Sequence, residues 1–479
     1  MKNNRAQRRI GNAPTLPVKK NAAGVSVPVD FRRRKLFLAL WIMAAGMLIA
    51  LICAAIQGWV LGKDYPYNTF LFSPDIRFSD LSGLTTISSL SNPYIDPTAF
   101  YPPFAWLCLR LLSPLPDSIS VIGCFFISLA GLFLLLVAIL RPVVSKPSRR
   151  VLYSLLLMGM SYPVLFCFDR GNIEIVLAVL IASAIFFMAR ANHVPALLCI
   201  VPAMCLKVYP AFFLVLLLRQ RKVAQIILGL LAFVAITFLS LYLLSLPLKT
   251  TWELYNRNLA FYAQSGIYEN LSLEGTSPWN AFKIALIAAG NMGLIQPVDF
   301  SFDAGFIRTA YAGYAGCMIL LAAGLTIYAC LLEKQFARCA MALLLFLAVS
   351  TPAGGDYRLL YASIALILLV VLKTKRPLDI AALILLALTM VPKKEIILTF
   401  AGHTETGYSD VSIEAFLDPI LVLTALGLLL YDSRTYFDLR WTNLRLNRLI
   451  RAILPRLPEK SRSTIRPKEG AVAISRDPS

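Results

Sequence analysis

Long apolar runs with at most one charged residue each follow one another along the chain from residue 36 to residue 431. A helix needs about 20 residues to cross the hydrocarbon core of a bilayer, and most of these runs approach that length. The pattern predicts an all-α polytopic membrane protein with about 10–13 transmembrane helices. The predicted spans are 36–60, 118–140, 151–168, 171–189, 223–248, 309–332, 339–355, 357–372, 378–392 and 415–431.

Residues 194–218 form one more apolar run, which only Lys207 interrupts. A single helix there would carry the basic segment 219–222 to the opposite side from the other basic loops. Two half-length helices that meet near Lys207-Val208-Tyr209-Pro210 keep the alternation. Since proline lacks a backbone donor and disfavours helix in the residue before it, we expect a broken helix pair with the break at this position.

The charge is explained by its position along the chain. Apolar residues make up 58% and charged residues 15% of the 479 residues, against about 25% charged in a typical soluble protein. A net charge of +20 would also suit a nucleic-acid-binding protein. However, the basic residues fall in alternate loops, as the positive-inside rule requires. We therefore expect a multi-pass protein of the inner cell membrane with both termini cytoplasmic, and no nucleic-acid partner.

The predicted spans divide the chain into three parts. A basic cytoplasmic segment covers 1–35, the transmembrane domain covers 36–431, and a basic cytoplasmic tail covers 432–479. Apolar residues recur within Arg440–Arg456, which predicts an amphipathic helix on the anionic inner leaflet. The long external loops are 61–117, 249–308 and 393–414.

The first external loop contains a run too short to cross the membrane. Residues 105–112 are apolar apart from Arg110 and follow Pro102 and Pro103, which suit the start of a helix. We expect a short helix along the outer interface.

The composition gives no sign of a metal or cofactor. The nine cysteines lie singly in apolar runs, and only two histidines, His193 and His403, are present. The sequence contains no P-loop and no dinucleotide-binding glycine motif. We expect neither a metal site nor a cofactor.

Charged groups at the external ends of several spans predict one polar cavity. Asp169-Arg170-Gly171-Asn172 with Glu174 lies at one such end, and the segment that ends in Asp356-Tyr357-Arg358 lies at another. Lys207 lies at the broken helix on the same side. A lysine at membrane depth is costly unless an anion compensates it. That anion is either a substrate phosphate or an internal carboxylate such as Asp169 or Asp356.

The order of these motifs resembles glycosyltransferase family 87, of the GT-C superfamily of membrane glycosyltransferases. The resemblance covers residues 36–431. Its motifs are Asp80, Asn92-Pro93-Tyr94, Tyr101-Pro102-Pro103, Gly171-Asn172, Lys207-Val208-Tyr209-Pro210, the loop with Asn270 and Ser272, and the end at Asp356. The resemblance implies a GT-C-like bundle, an external or periplasmic active site, and a catalytic base at Asp80 rather than at Asp75 or Asp96.

The implied activity is transfer of a sugar, a hexose such as mannose, from a polyprenyl-phosphate donor to a glycolipid or polysaccharide acceptor. A carboxylate would accept the acceptor's proton, and fixed cations would stabilise the leaving phosphate, so a single displacement would invert the anomeric centre. The candidate phosphate-binding residues are Lys207, Arg170 and Arg358. The candidate substrate pocket consists of Asn172, Glu174, Tyr209, Asn270, Ser272, Asp356 and Tyr357. The expected partners are membrane lipids, the lipid-linked donor and the acceptor.

A flippase or transporter for lipid-linked sugars is the alternative, because transporters also place broken helices beside buried charges. Many transporters consist of repeated halves. The sequence has no repeated halves and no second counterpart of 194–218, which favours the enzyme.

Overall fold

The computed structural model describes residues 29–434, 442 and 444–447, with short gaps at 72, 117–118, 121, 270–274, 297, 299, 301–304, 374–375, 377, 395 and 402–407. The described chain is almost entirely helical. Its α-helices are α1 (Val29–Ala55), α2 (Ser79–Ser88), α3 (Pro103–Leu112), α4 (Ile127–Ile139), α5 (Pro147–Gly159), α6 (Tyr162–Arg170), α7 (Glu174–Ala189), α8 (His193–Leu206), α9 (Leu214–Arg219), α10 (Val223–Leu243), α11 (Leu248–Tyr262), α12 (Pro278–Asn291), α13 (Gly305–Ile327), α14 (Phe336–Val349), α15 (Leu360–Val371), α16 (Asp379–Thr389) and α17 (Glu414–Arg434).

Short 3-10 and π-helical turns extend or join these helices. The π turns are Ile56–Val60, Ile122–Phe126, Ala263–Glu269 and Tyr328–Leu332. The 3-10 turns are Pro74–Ile76, Pro93–Ile95, Tyr209–Phe213 and Asp356–Leu359.

Among the described residues, four continuous helical segments are long and apolar enough to cross a bilayer, and the α5–α6 pair would make a fifth. The chain is therefore an all-α polytopic membrane protein. Most other apolar helices of the described chain are 10–17 residues long. The sequence analysis counted such short apolar runs as spans, so it predicted more crossings than these segments provide. The four segments are Phe31–Val60, Val223–Leu243, Gly305–Leu332 and Glu414–Ser433.

The predicted span over 151–168 is not one straight helix. The chain bends by 66° between α5 and α6, at Met160 and Ser161. The amide of Tyr162 donates to the carbonyl of Met390 at 3.0 Å instead of continuing the helix. Pro163, in the first turn of α6, has no amide hydrogen to donate to the preceding turn.

The run 194–218 is interrupted where the sequence predicts a break. Helix α8 ends at Leu206, and Lys207 is fully extended, with φ −148° and ψ 142°. The chain then turns through Tyr209–Phe213 into α9. This places the Lys207 side chain at the end of α8, beside the start of α7.

The core lies around α14 and α15. Every residue from Arg338 to Val349 is buried. Helix α14 packs against α15 and α17, and α16 packs against α1, α15 and α17. These central helices connect the two ends of the bundle. We call the end where α2 lies the Asp80 face and the end where α1 begins the Lys35 face.

Buried ion pairs fasten the helix ends at the Lys35 face. Arg338 contacts Asp379 and lies 3.2 Å from Asp432, and Arg376 lies 3.2 Å from Glu333. The ammonium of Lys35 donates to the carbonyl of Leu369 at 2.6 Å. Because these groups are all buried, each needs its partner, and together they fix the ends of five helices relative to one another.

Two additions to the helical bundle lie at the Asp80 face. Helix α3 begins at Pro103 after Pro102, as the sequence predicts. An antiparallel pair of strands, β1 (Ile397–Ala401) and β2 (Tyr408–Ser412), precedes α17, with Ile397 paired to Ser412 and Ala401 to Tyr408. This hairpin is absent from the helical prediction.

Candidate active site

A tight turn between α6 and α7 holds the start of α2. Gly171 ends α6 with φ +68°, a left-handed conformation that suits glycine. A Cβ atom at Gly171 would lie 2.9 Å from Cα of Phe78. The amide of Phe78 donates to the carbonyl of Asp169 at 2.9 Å. The two segments therefore touch backbone to backbone, and Asp80 at the start of α2 faces the turn.

Asp80 is held by two residues of that turn. Nε of Arg170 donates to both carboxylate oxygens, at 3.1 and 3.0 Å, and Nδ2 of Asn172 donates to Oδ2 at 2.5 Å. The Asp80 side chain is 20% exposed and that of Arg170 is 26% exposed. The carboxylate thus has a fixed orientation and remains reachable from outside the protein.

A second cluster is built around the fully buried Glu174 at the start of α7. Its Oε1 accepts from Nζ of Lys207 at 2.7 Å and lies 3.9 Å from Arg358. Its Oε2 accepts from the hydroxyls of Tyr209 and Tyr361. The break after α8 and the 3-10 turn before α15 thus converge on one carboxylate.

Asn172 connects the two clusters. Its Oδ1 accepts from the amide of Glu174 at 3.0 Å, while its Nδ2 donates to Asp80. The combined site has three cations (Arg170, Lys207, Arg358) against the two carboxylates Asp80 and Glu174. One positive charge is left over, which suits an anionic ligand.

Aromatic rings cover the cations. Lys207 lies 5.1 Å from the ring centre of Tyr101, Arg170 lies 5.8 Å from that of Tyr357, and Arg358 lies 4.5 Å from that of Tyr209. Burial raises the pKa of the Tyr101 hydroxyl, so this ring stays uncharged. The rings restrict water around the cations, which strengthens their attraction for an anion.

Helix α11 holds in place the loop that carries Tyr101. Nδ2 of the fully buried Asn258 lies 3.0, 2.7 and 3.0 Å from the carbonyls of Tyr94, Asp96 and Ala99. The hydroxyl of Tyr94 in turn donates to the carbonyl of Tyr101 at 2.8 Å. The segment 94–101 is thereby fixed over Lys207.

Seven of the predicted site residues beyond Asp80 and Arg170 are described, and five lie in these clusters: Lys207, Arg358, Asn172, Glu174 and Tyr209. Tyr357 stacks on Arg170 at the edge. Asp356 is buried among other groups, since it accepts from the hydroxyl of Tyr162, which also contacts Glu414. Asn270 and Ser272 lie outside the described residues.

The two carboxylates suggested in the sequence analysis as internal partners of Lys207, Asp169 and Asp356, are not its partners. Its partner is Glu174, whereas Asp169 pairs with Arg77 at 3.4 Å and Asp356 contacts Tyr162. The reason is that α7 and α8 are packed neighbours, so the start of α7 lies beside the end of α8.

Tyr361 is the site residue that the sequence interpretation did not identify. It follows Arg358 by three residues at the start of α15, a spacing that places both side chains on one helical face. That spacing was the available signal. The structure places no group of three His, Cys, Asp or Glu side chains close enough to hold a metal among the residues it describes.

The sequence profile of glycosyltransferase family 87 matches residues 99–352. The chain belongs to glycosyltransferase family 87. It is therefore a membrane glycosyltransferase, and the GT-C superfamily is consistent with this membership. Arg170, Asn172, Glu174, Lys207 and Tyr209 lie within the matched region, while Asp80 and Arg358 lie outside it. No curated protein matches the chain.

Proposed function

We propose that this glycosyltransferase moves a hexose from a polyprenyl-phosphate donor to a glycolipid or polysaccharide acceptor, with inversion, on the external face of the membrane. One observation carries the proposal. A partly exposed carboxylate, Asp80, lies 3.0 Å from Arg170, and Asn172 links it to a cluster with two further cations, Lys207 and Arg358. A base and fixed positive charge, the two requirements of the reaction, are thus adjacent.

The reaction requires one proton acceptor and one anion site. Asp80 takes the proton of the acceptor hydroxyl as its oxygen bonds to the anomeric carbon of the donor sugar. The bond between that carbon and the phosphate oxygen breaks, and the phosphate leaves with the electron pair. The cations stabilise the charge that develops on the phosphate.

Arg170 is suited to couple these two tasks. In the resting site its Nε is shared between both oxygens of Asp80, so that the guanidinium occupies the carboxylate. A donor phosphate competes for the same guanidinium. We propose that donor binding draws Arg170 towards the phosphate and frees Asp80 to act as the base.

The two rival carboxylates have other surroundings. Asp75 is exposed in a 3-10 turn, and Asp96 accepts from the amide and hydroxyl of Thr98. Neither arrangement includes a cation of the site, which supports Asp80 as the base.

Donor class is the direct test. Purified protein in proteoliposomes is given a radiolabelled polyprenyl-phosphate hexose or the corresponding nucleotide sugar, with a membrane glycolipid extract as acceptor. We expect labelled product only from the lipid-linked donor. Product from the nucleotide sugar alone would contradict the proposal. Movement of the labelled donor between leaflets without product would favour the flippase.

A further inference from the structure

A second positively charged site lies at the Lys35 face, at the other end of the bundle from the candidate active site. A cavity of about 200 Å³ opens between the first turns of α1 and α5. Arg33, Lys146 and Arg149 line it, together with the rings of Phe37 and Tyr153. None of the described residues that line it is acidic.

The three cations are not neutralised by the part of the chain that the structure describes. Nε of Arg33 donates to the carbonyl of Val143 at 3.3 Å. Among the described residues, none of the three cations forms a salt bridge. Helix α5 also begins at Pro147, so its positive end adds to the field of Lys146 and Arg149.

The aromatic side of the cavity lies next to exposed apolar side chains of α1 and α5. The rings of Phe37 and Tyr153 meet edge to face at 5.7 Å. One helical turn beyond Phe37, Trp41 on α1 is 73% exposed, and Leu155 on α5 is 54% exposed. A ligand with a phosphate in the cavity would therefore have its apolar part beside these side chains.

We infer that this cavity binds the headgroup phosphate of an anionic phospholipid, with the acyl chains along α1 and α5. Basic pockets between transmembrane helices at the membrane surface are suited to such headgroups. The site differs from the candidate active site in position and in chemistry, because it has no carboxylate to act as a base. Its role is to anchor the first helix, α1, to α5 through a bound lipid.

Native mass spectrometry of the purified full chain tests this inference. The protein is reconstituted in nanodiscs of phosphatidylcholine with a minor fraction of phosphatidylglycerol, and retained lipids are counted. We expect a phosphatidylglycerol adduct that Arg33→Gln/Lys146→Gln/Arg149→Gln weakens about a hundredfold, from the usual attraction per basic residue.

The matched control, Arg190→Gln/Lys222→Gln/Lys373→Gln, removes three charges from helix ends of the same face. It should retain the adduct. Because Arg33 also supports the backbone of Val143, Lys146→Gln/Arg149→Gln serves as a second variant that changes only exposed side chains. It should lose most of the adduct and remain monodisperse.

Two results would overturn the inference. Equal loss in the test and control variants would indicate a diffuse counter-ion effect. Equal competition by inorganic phosphate would indicate a site for a free anion, since a lipid site also uses contacts with the acyl chains.

Discussion

At the scale of single residues, the site depends on which charges are adjacent. The sequence pointed to Arg170, Lys207 and Arg358 one by one, since charges near apolar spans are few, and the family resemblance pointed to Asp80. It could not pair them, because Asp80 and Arg170 are 90 positions apart and their contact depends on the packing of α2 against α6. The same limit explains why Glu174 was not recognised as the partner of Lys207.

Substitution of Lys207 distinguishes a phosphate-binding lysine from a structural one. Lys207→Ala leaves the buried Glu174 with less compensation, and breaking a buried ion pair costs about 3–5 kcal/mol. We expect a lower melting temperature and a higher KM for the lipid donor. The double variant Glu174→Gln/Lys207→Gln should recover much of the stability, because it removes both charges of the pair.

The KM of that double variant decides the role. A KM that stays high after stability returns indicates that the lysine binds the phosphate. A native KM in a stable double variant would mean that Lys207 acts only through Glu174.

At the scale of elements, short contacts between segments fix the site. The sequence predicted the break after α8 and the start of α3, because proline acts locally in both places. The bend between α5 and α6 escaped prediction although Pro163 follows it, because the carbonyl of Met390, which replaces a helical partner there, lies more than 200 positions away.

Gly171→Ala tests the contact between the α6–α7 turn and α2. The new methyl group would meet Phe78 at 2.9 Å and the residue would keep a left-handed φ, a conformation that costs about 1–2 kcal/mol for other residues. A displacement of Asp80 by about 1 Å could lower turnover about a hundredfold. Gly83→Ala, in α2 itself, meets no atom within 4 Å and should leave turnover and stability close to native. Equal turnover in both variants would contradict this account.

Asn258→Ala tests the attachment of the segment 94–101 to α11. The change leaves buried carbonyls without their donor, which costs about 1–3 kcal/mol. We expect faster hydrogen exchange across this segment and a several-fold lower turnover. The control Asn256→Ala alters an exposed side chain of the same helix and should change neither. Native exchange in Asn258→Ala would show that other contacts hold the segment.

At the scale of the whole molecule, the orientation that we propose in the membrane rests on the distribution of charges along the chain. The apolar runs predicted the fold class, because a bilayer demands long uncharged helices. They did not predict the lengths of the central helices, since α14 and α15 are enclosed by protein and their apolar residues face other helices. The hairpin of β1 and β2 also escaped prediction, since it lies within the stretch 393–414, which the sequence analysis interpreted as an external loop.

Reporter fusions test the predicted orientation. Fusions after Arg150, Lys222 and Arg376 should read cytoplasmic, because these positions follow basic loops. Fusions after Asp96 and Thr404 should read external. A cytoplasmic signal at Asp96 would place the candidate site on the inner face and contradict the proposed external reaction.

We propose that this family 87 enzyme transfers sugar from a lipid phosphate with Asp80 as the base. The most direct measurement is the initial rate of sugar transfer from polyprenyl-phosphate hexose by purified Asp80→Asn, alongside Asp75→Asn and Asp96→Asn. Asparagine keeps the size of the side chain but cannot take the acceptor's proton, so we predict a loss of about 10²–10⁴-fold with donor binding retained. The two controls should keep most of their activity. Near-native transfer by Asp80→Asn would contradict the account.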